Sequence, residues 1–159
     1  MDGNDSLIAQ PNSRLCFVCG MESRVGLKLR FWDDGVDEVR ADYTVSADYQ
    51  GFPGIVHGGI VATMLDEAAG RTVMIGDHND FMVTAKMTIK YRKPTPVETP
   101  LVITGKLLKR RGRLAMAASA IHLPDGSISA EAGVTLASIP EEYLEGLDRA
   151  LGDWQVWPP

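Results

Sequence analysis

Two periodicities alternate along the chain. Leu27, Leu29 and Phe31 alternate with Lys28 and Arg30, the period-two pattern of a half-buried strand. Asp33-Asp34-Gly35 supplies a hairpin turn, and residues 36–45 read as the returning strand. Residues 46–50 form a short helical turn or loop, and Gly51-Phe52-Pro53-Gly54 breaks the chain. From His57 to about Ile75 the pattern becomes helical. Strand patterns return over 81–93, 101–110, 114–123 and 128–139, punctuated by Pro94 and Pro96, by Gly112 and by Pro124-Asp125-Gly126. Pro140 opens a short amphipathic helix, EEYLEGLDRAL. The closing WQVWPP is apolar and aromatic, so it is expected to pack on a surface, a partner subunit's being one candidate.

The order β-β-α-β-β-β-β lacks the β-α alternation of a doubly wound parallel sheet. Short turns in the second half predict antiparallel neighbours. One dominant helix against one antiparallel sheet is an α+β domain. Residues 1–14 read as a mobile leader, 15–139 as the domain, and 140–159 as a short helix and tail.

The helix carries the first chemical signal. Ile60, Met64 and Ala68 lie along one line, with Val61, Leu65 and Thr72 beside it, so it is expected to be buried on several sides. A narrow strip differs: Gly59, Ala62, Thr63, Asp66, Ala69 and Gly70 share a face through spacings of three, four and seven. All are small except the single carboxylate. Burying an unpaired carboxylate costs several kcal/mol, about what a functional role would justify. Its neighbour Glu67 reads as an ordinary surface carboxylate. At the helix start, Gly58 and Gly59 leave N–H groups without intrahelical acceptors at the positive end of the dipole. Such groups can bind an oxyanion. Asp66 lies eight residues beyond Gly58, roughly 12 Å along the axis, so one carbonyl cannot touch both groups of the same helix. A single site built from both requires two chains related by a two-fold axis.

Composition narrows the classes. The 159 residues are 45% hydrophobic and 23% charged, with no low-complexity tract, which suits one folded domain. Nothing approaches the roughly 20 consecutive apolar residues of a membrane span, and the acidic start lacks the apolar core of a signal peptide. Two cysteines and seven methionines suit a reducing, cytoplasmic setting. Cys16-x-x-Cys19 lacks a second pair, so no metal is expected and free thiols in a structural turn are the simpler reading.

The net charge of −5 argues against nucleic acid, yet it hides a partition. Residues 1–80 hold 6 basic and 13 acidic side chains, residues 81–139 hold 9 and 3, and residues 140–159 hold 1 and 5. The basic segment is either a solvated sheet face or a landing surface for a polyanionic small ligand.

GFPGIVHGGIVATMLDEAAG followed by FMVTAKMTIKYRKPTP resembles the hotdog-fold acyl-CoA thioesterases, in particular the phenylacetate-pathway and human thioesterase-superfamily branch. The resemblance covers roughly residues 16–139. It implies an antiparallel sheet wrapped around the central helix, dimers that can pair into tetramers, and hydrolysis of an acyl-CoA without a cofactor. It also implies roles. Asp66 is general base or nucleophile, the Gly58 N–H polarises the thioester carbonyl across the dimer, Thr84 orients water, and His57 shapes the loop. Gly59 and Gln50 fall beside the substrate, while Lys106, Arg110, Arg111 and Arg113 are candidates for the nucleotide of coenzyme A. One departure stands out: many members carry Asn six residues before the histidine, where this chain has Gly51 with Gln50 beside it. Two other readings stay open. A hotdog dehydratase or hydratase would want an Asp-x-Asn-x-x-His loop, which is absent. A non-catalytic acyl-CoA-binding protein would be expected to lack Asp66.

Overall fold

A computed structural model describes residues 7–151 and 153–159. Seven strands form one antiparallel sheet: β1 (Ile8–Ala9), β2 (Trp32–Asp33), β3 (Glu38–Thr44), β4 (Met82–Tyr91), β5 (Pro100–Arg111), β6 (Leu114–His122) and β7 (Ile128–Ser138). Their order across the sheet is β1-β2-β3-β5-β6-β7-β4. Helix α1 (Gly58–Arg71) runs on into a 3-10 turn over Thr72–Met74, and α2 (Glu141–Leu151) follows the sheet.

Helix α1 packs against β5, β6, β7 and β4. Val61, Met64, Leu65, Ala68 and Ala69 are buried, and meet Ile103, Ala117, Ile121, Val134 and Leu136 in one core. The helix comes very close at Gly105 of β5. A Cβ there would stand 2.3 Å from the Ala68 carbonyl oxygen. The helix backbone therefore lies directly on the strand, which the small Ala68 and Gly105 together permit.

The chain departs from the sequence reading in three places. Leu27, Leu29 and Phe31 are buried as their alternation predicts, but the expected strand shrinks to Trp32–Asp33. Lys28 takes a left-handed φ of 56°, incompatible with a continuous strand, while Leu27 and Leu29 instead donate to the Phe17 and Val18 carbonyls. The expected β4–β5 neighbours are not adjacent: β4 pairs β7 and ends the sheet, while β5 pairs β3 and β6. The connecting residues 92–99 cross to the far side, tied down where Val56 donates to Thr95 O and Val97 to Gly54 O. Proline at 94 and 96 suits this, because it withdraws donors where no ladder is available.

Residues 7–14, within the expected leader, carry β1 and bury Gln10, Asn12 and Ser13. Residues 1–6 of that leader lie outside the described residues. The aromatic tail packs on this chain itself. Trp157 Nε1 donates to Asn12 O at 3.0 Å, Trp154 Nε1 to His78 O at 3.0 Å, and Arg30 grips the Trp157 and Pro158 carbonyls.

Gly105→Ala is expected to fold with a loss of about 1–3 kcal/mol, because two backbones must separate to admit one methyl group. Urea unfolding reads this as a lowered midpoint. An unchanged midpoint would show that the helix seat is softer than described.

Candidate active site

The loop before α1 is pinned by its own backbone. His57 N–H donates to Tyr49 O, Gly51 N–H to Ile55 O, and Val56 N–H to Thr95 O. These bonds present His57 as the N-cap, with φ −55° and ψ 135°. Its Nδ1 accepts from the Gly59 N–H at 2.9 Å, and its carbonyl accepts from Ile60 and Val61. The first-turn donors are thereby used, except one. Among the described residues the Gly58 N–H has no hydrogen-bond partner. No acidic side chain occupies the first turn, so nothing there offsets the positive end of the helix dipole.

Gly58 faces an open cavity of about 730 Å³. Phe52, Ile55, Val61 and Pro94 make it largely apolar, and Arg92 and Lys93 also line it. Tyr91, at the end of β4, lines it as well and donates from its hydroxyl to the Gly58 carbonyl at 2.7 Å. Sequence reasoning missed this residue. Its place in the alternation with Met87 and Ile89 puts it on the helix side of β4, but only the fold brings it to the helix start.

Asp66 stands two turns further on and does not line this cavity. It is half-buried rather than buried, and it is not unpaired: Thr84 Oγ1 donates to its Oδ1 at 2.6 Å. Burial of an unpaired charge is thus not what marks Asp66. The ladder between β4 and β7 slips between Thr84 and Lys86, and bulges of this kind re-aim side chains. Glu67 does something else. It pairs at 2.8 Å with the buried Arg71, whose guanidinium also stacks on Phe31 and Trp154. It is therefore not the ordinary surface carboxylate expected: only 20% of its side chain is exposed, because it must face the buried Arg71.

The other expected residues scatter. Gln50 Oε1 accepts from Gly54 N–H at 3.1 Å, within the loop. Lys106 is engaged by Glu38 at 3.0 Å and Asp37 at 3.7 Å, and Arg110 pairs with Asp80. The register runs Arg110–Ala115–Leu136–Thr84 across four strands. Arg110 and Arg111, with Arg113 just past the turn, therefore lie at the Thr84 end of the sheet, whereas the cavity lies at the Tyr91 end. Within one chain the cationic neighbours of the cavity are Arg92 and Lys93, and Arg92 is paired with Glu131. Among the described residues no group of three or more His, Cys, Asp or Glu side chains is placed to hold a metal ion.

Comparison with known proteins follows the same lines. Residues 53–130 match the thioesterase superfamily family model. The chain is 37% identical over 76 residues to the acyl-coenzyme A thioesterase THEM4 of Rattus norvegicus, covering 48% of this chain and 32% of that protein. The chain spans about a third or less of the length of this relative and the Mus musculus one. A solved thioesterase superfamily protein superposes with TM-score 0.70 and 32% identity, over 77% of this chain and 60% of that one. A hypothetical thioesterase of Streptococcus pneumoniae, solved with coenzyme A, shares the fold with TM-score 0.60 at 22% identity, over 64% of this chain and 81% of that one.

The cap makes a prediction about stability. His57→Ala is expected to lose about 0.5–2 kcal/mol, whereas His57→Asn, which also caps, should lose less. Equal unfolding midpoints for the two variants would remove the capping role.

Proposed function

The chain belongs to the hotdog-fold thioesterase superfamily, and from that premise we propose that its site hydrolyses an acyl thioester of coenzyme A. The observation that carries the proposal is the lone unpartnered Gly58 N–H at a helix N-terminus, opening on an apolar cavity lined also by Arg92 and Lys93. An acyl chain suits the apolar wall, and a phosphate-bearing nucleotide suits the cations. The THEM4 relatives and the coenzyme A carried by the Streptococcus pneumoniae protein support the same substrate class.

The chemistry follows from the two half-sites. A water oxygen attacks the thioester carbonyl while Asp66 takes its proton. Thr84 occupies Oδ1 of that carboxylate, which leaves Oδ2 for the water. The Gly58 N–H holds the oxyanion as it forms. The C–S bond then breaks, and the coenzyme A thiolate leaves and takes up the proton. Direct attack by Asp66 through an acyl-enzyme anhydride is the other course open to the same atoms.

Both half-sites belong to one helix, so they serve one carbonyl only if they come from two chains. Strand β4 supplies the means. It is a ten-residue strand at the sheet edge, with Val83, Thr84, Ala85 and Lys86 exposed. A long unpaired edge is a template for another strand. Antiparallel pairing with a second β4 about Met87–Thr88 would set one chain's Thr84 end against its partner's Tyr91 end. That pairing brings Asp66 of one chain toward Gly58 of the other, and sets Arg110, Arg111 and Arg113 at the same end as the partner's cavity. A homodimer, able to pair into a tetramer, is therefore part of the proposal. Among the described residues no helix is long and apolar enough to cross a membrane. The two free thiols suit the cytoplasm.

Gly58→Pro deletes the donor cleanly. Proline is favoured at the first helical position, and His57 at ψ 135° already has the backbone that precedes proline. A screen of short, long and aromatic acyl-CoAs tests the activity. On the best substrate, Gly58→Pro should fold and lose roughly 10²–10³-fold in kcat, and Asp66→Asn should lose at least about 10²-fold. Mixed dimers of the two variants should recover activity, since each hybrid holds one intact site. No hydrolysis across the panel would sink the enzymatic reading. Proven hybrids without recovery would sink the shared site alone.

A further inference from the structure

The Cys16-x-x-Cys19 turn is built tightly. Gly20 N–H donates back to Cys16 O at 2.8 Å, and Gly20 is pressed so close that a Cβ would lie 2.3 Å from that oxygen. The turn is anchored to the core from both sides. Phe17 and Val18 carbonyls accept from the buried Leu27 and Leu29, and Asn12 Nδ2 donates to Cys19 O at 2.8 Å. Within this frame the two cysteines stand three residues apart on one tight turn, both held by Ser13, but their surroundings differ. Cys16 is exposed and its sulfur accepts from the Val18 N–H at 3.3 Å. Cys19 is 3% exposed, with Ser13 Oγ 3.5 Å from its sulfur. The Ser13 hydroxyl oxygen also accepts from the Cys16 N–H at 3.2 Å, which ties the two ends of the turn together.

We propose that Cys16 and Cys19 are a peroxide-oxidisable dithiol, in which exposed Cys16 reacts first and buried Cys19 resolves it into an intrachain disulfide. Nothing in the hydrolytic site uses these residues. No further protein ligand joins them in a metal-binding group among the described residues, so a metal site is the poorer reading. The turn closed by Gly20 N–H on Cys16 O, with Ser13 Oγ beside Cys19 Sγ and on the Cys16 N–H, keeps both cysteines on one short anchored loop, where an intrachain disulfide needs mainly side-chain rotation.

The charge environment supports the division of labour. The neighbouring Cys19 side chain lowers the Cys16 pKa to about 6, helped by the Cys19 and Val18 N–H groups and opposed by burial and by Glu67. Cys19 is pushed upward, first by Cys16 itself, then by burial and Glu67, with Arg71 and Ser13 opposing. Near neutral pH the thiolate, and hence the nucleophile, sits on the exposed sulfur.

The steps balance. The Cys16 thiolate attacks one oxygen of hydrogen peroxide, the O–O bond breaks, and hydroxide leaves as Cys16 becomes a sulfenic acid. That product is uncharged, so the largest influence holding the proton on Cys19 is gone. Cys19 attacks the Cys16 sulfur, its proton goes to the departing hydroxide, the S–O bond breaks and the S–S bond forms. Two electrons from the dithiol reduce one peroxide to two waters.

The full chain holds only these two cysteines, so the dithiothreitol-reversible part of the mass change reports on them, while sulfoxides on the seven methionines persist. Hydrogen peroxide should remove the mass of two hydrogens and both maleimide-reactive thiols, and dithiothreitol should restore them. Cys19→Ser should stop at a dimedone-reactive sulfenic acid on Cys16, and Cys16→Ser should survive the same treatment unchanged. Iodoacetamide capture of Cys16 should be half-maximal at about pH 6. Sulfinic or sulfonic products in the unsubstituted chain would overturn the proposal, as would disulfides between chains or a capture midpoint near the usual ~8.5 of a free thiol. The dithiothreitol-reversible mass shift of the unsubstituted chain, with its loss of maleimide-reactive thiols, decides the matter even if a variant fails to fold.

Discussion

The contact of helix α1 with strand β5 governs the rest of the molecule. Ala68 and Gly105 bring two backbones together with no side chain between them. The helix is thereby fixed in both height and angle on the sheet. Its buried face then meets β6 and β7, its start meets Tyr91, and its middle meets Thr84. Protein interiors are close-packed, so a helix seated on backbone cannot drift without disturbing every one of those contacts. The candidate site is positioned by this seat together with the pinned loop before α1.

The same seat separates the two features on which the proposed reaction rests. Gly58 and Asp66 share one rigid rod, and no rotamer can bring them to one atom. A rigid separation of this kind converts an intramolecular problem into a symmetry problem. It also explains the contrast between adjacent carboxylates. Asp66 points toward the edge strand and keeps one oxygen free. Glu67, one position on, turns toward the inside and is consumed by Arg71. A hundred degrees of helix rotation is enough to divide a candidate base from a structural ion pair.

Around Arg71 the chain ends are joined. Its guanidinium lies over both the Phe31 and Trp154 rings and donates to the Pro11 carbonyl, so distant segments of the sequence meet on one cation. A buried guanidinium needs such partners, because leaving it unpaired costs several kcal/mol. The Cys16–Cys19 turn lies on the same side of the molecule, within electrostatic reach of Glu67 and Arg71.

The sequence by itself determined the elements and their kinds. Period-two alternation located β3 to β7 within a few residues, the helical pattern located α1, and the His57-Gly58-Gly59 to Asp66 spacing marked the two groups on which the proposed reaction rests. These signals are local, so the chain order carries them. It also implied, through the fixed rise of a helix, that Gly58 and Asp66 stand apart. Only the tertiary structure decided what is not local. Lys28 abandons the strand because its carbonyl neighbours come from residues 17–18. Strand β4 sits at the edge because β7, 46 residues beyond its start, pairs with it. Tyr91 reaches Gly58 across 33 residues, and Lys106 and Arg110 lose their freedom to acidic groups 68 and 30 positions away. Such contacts depend on which surfaces close over one another, and no spacing along the chain records that.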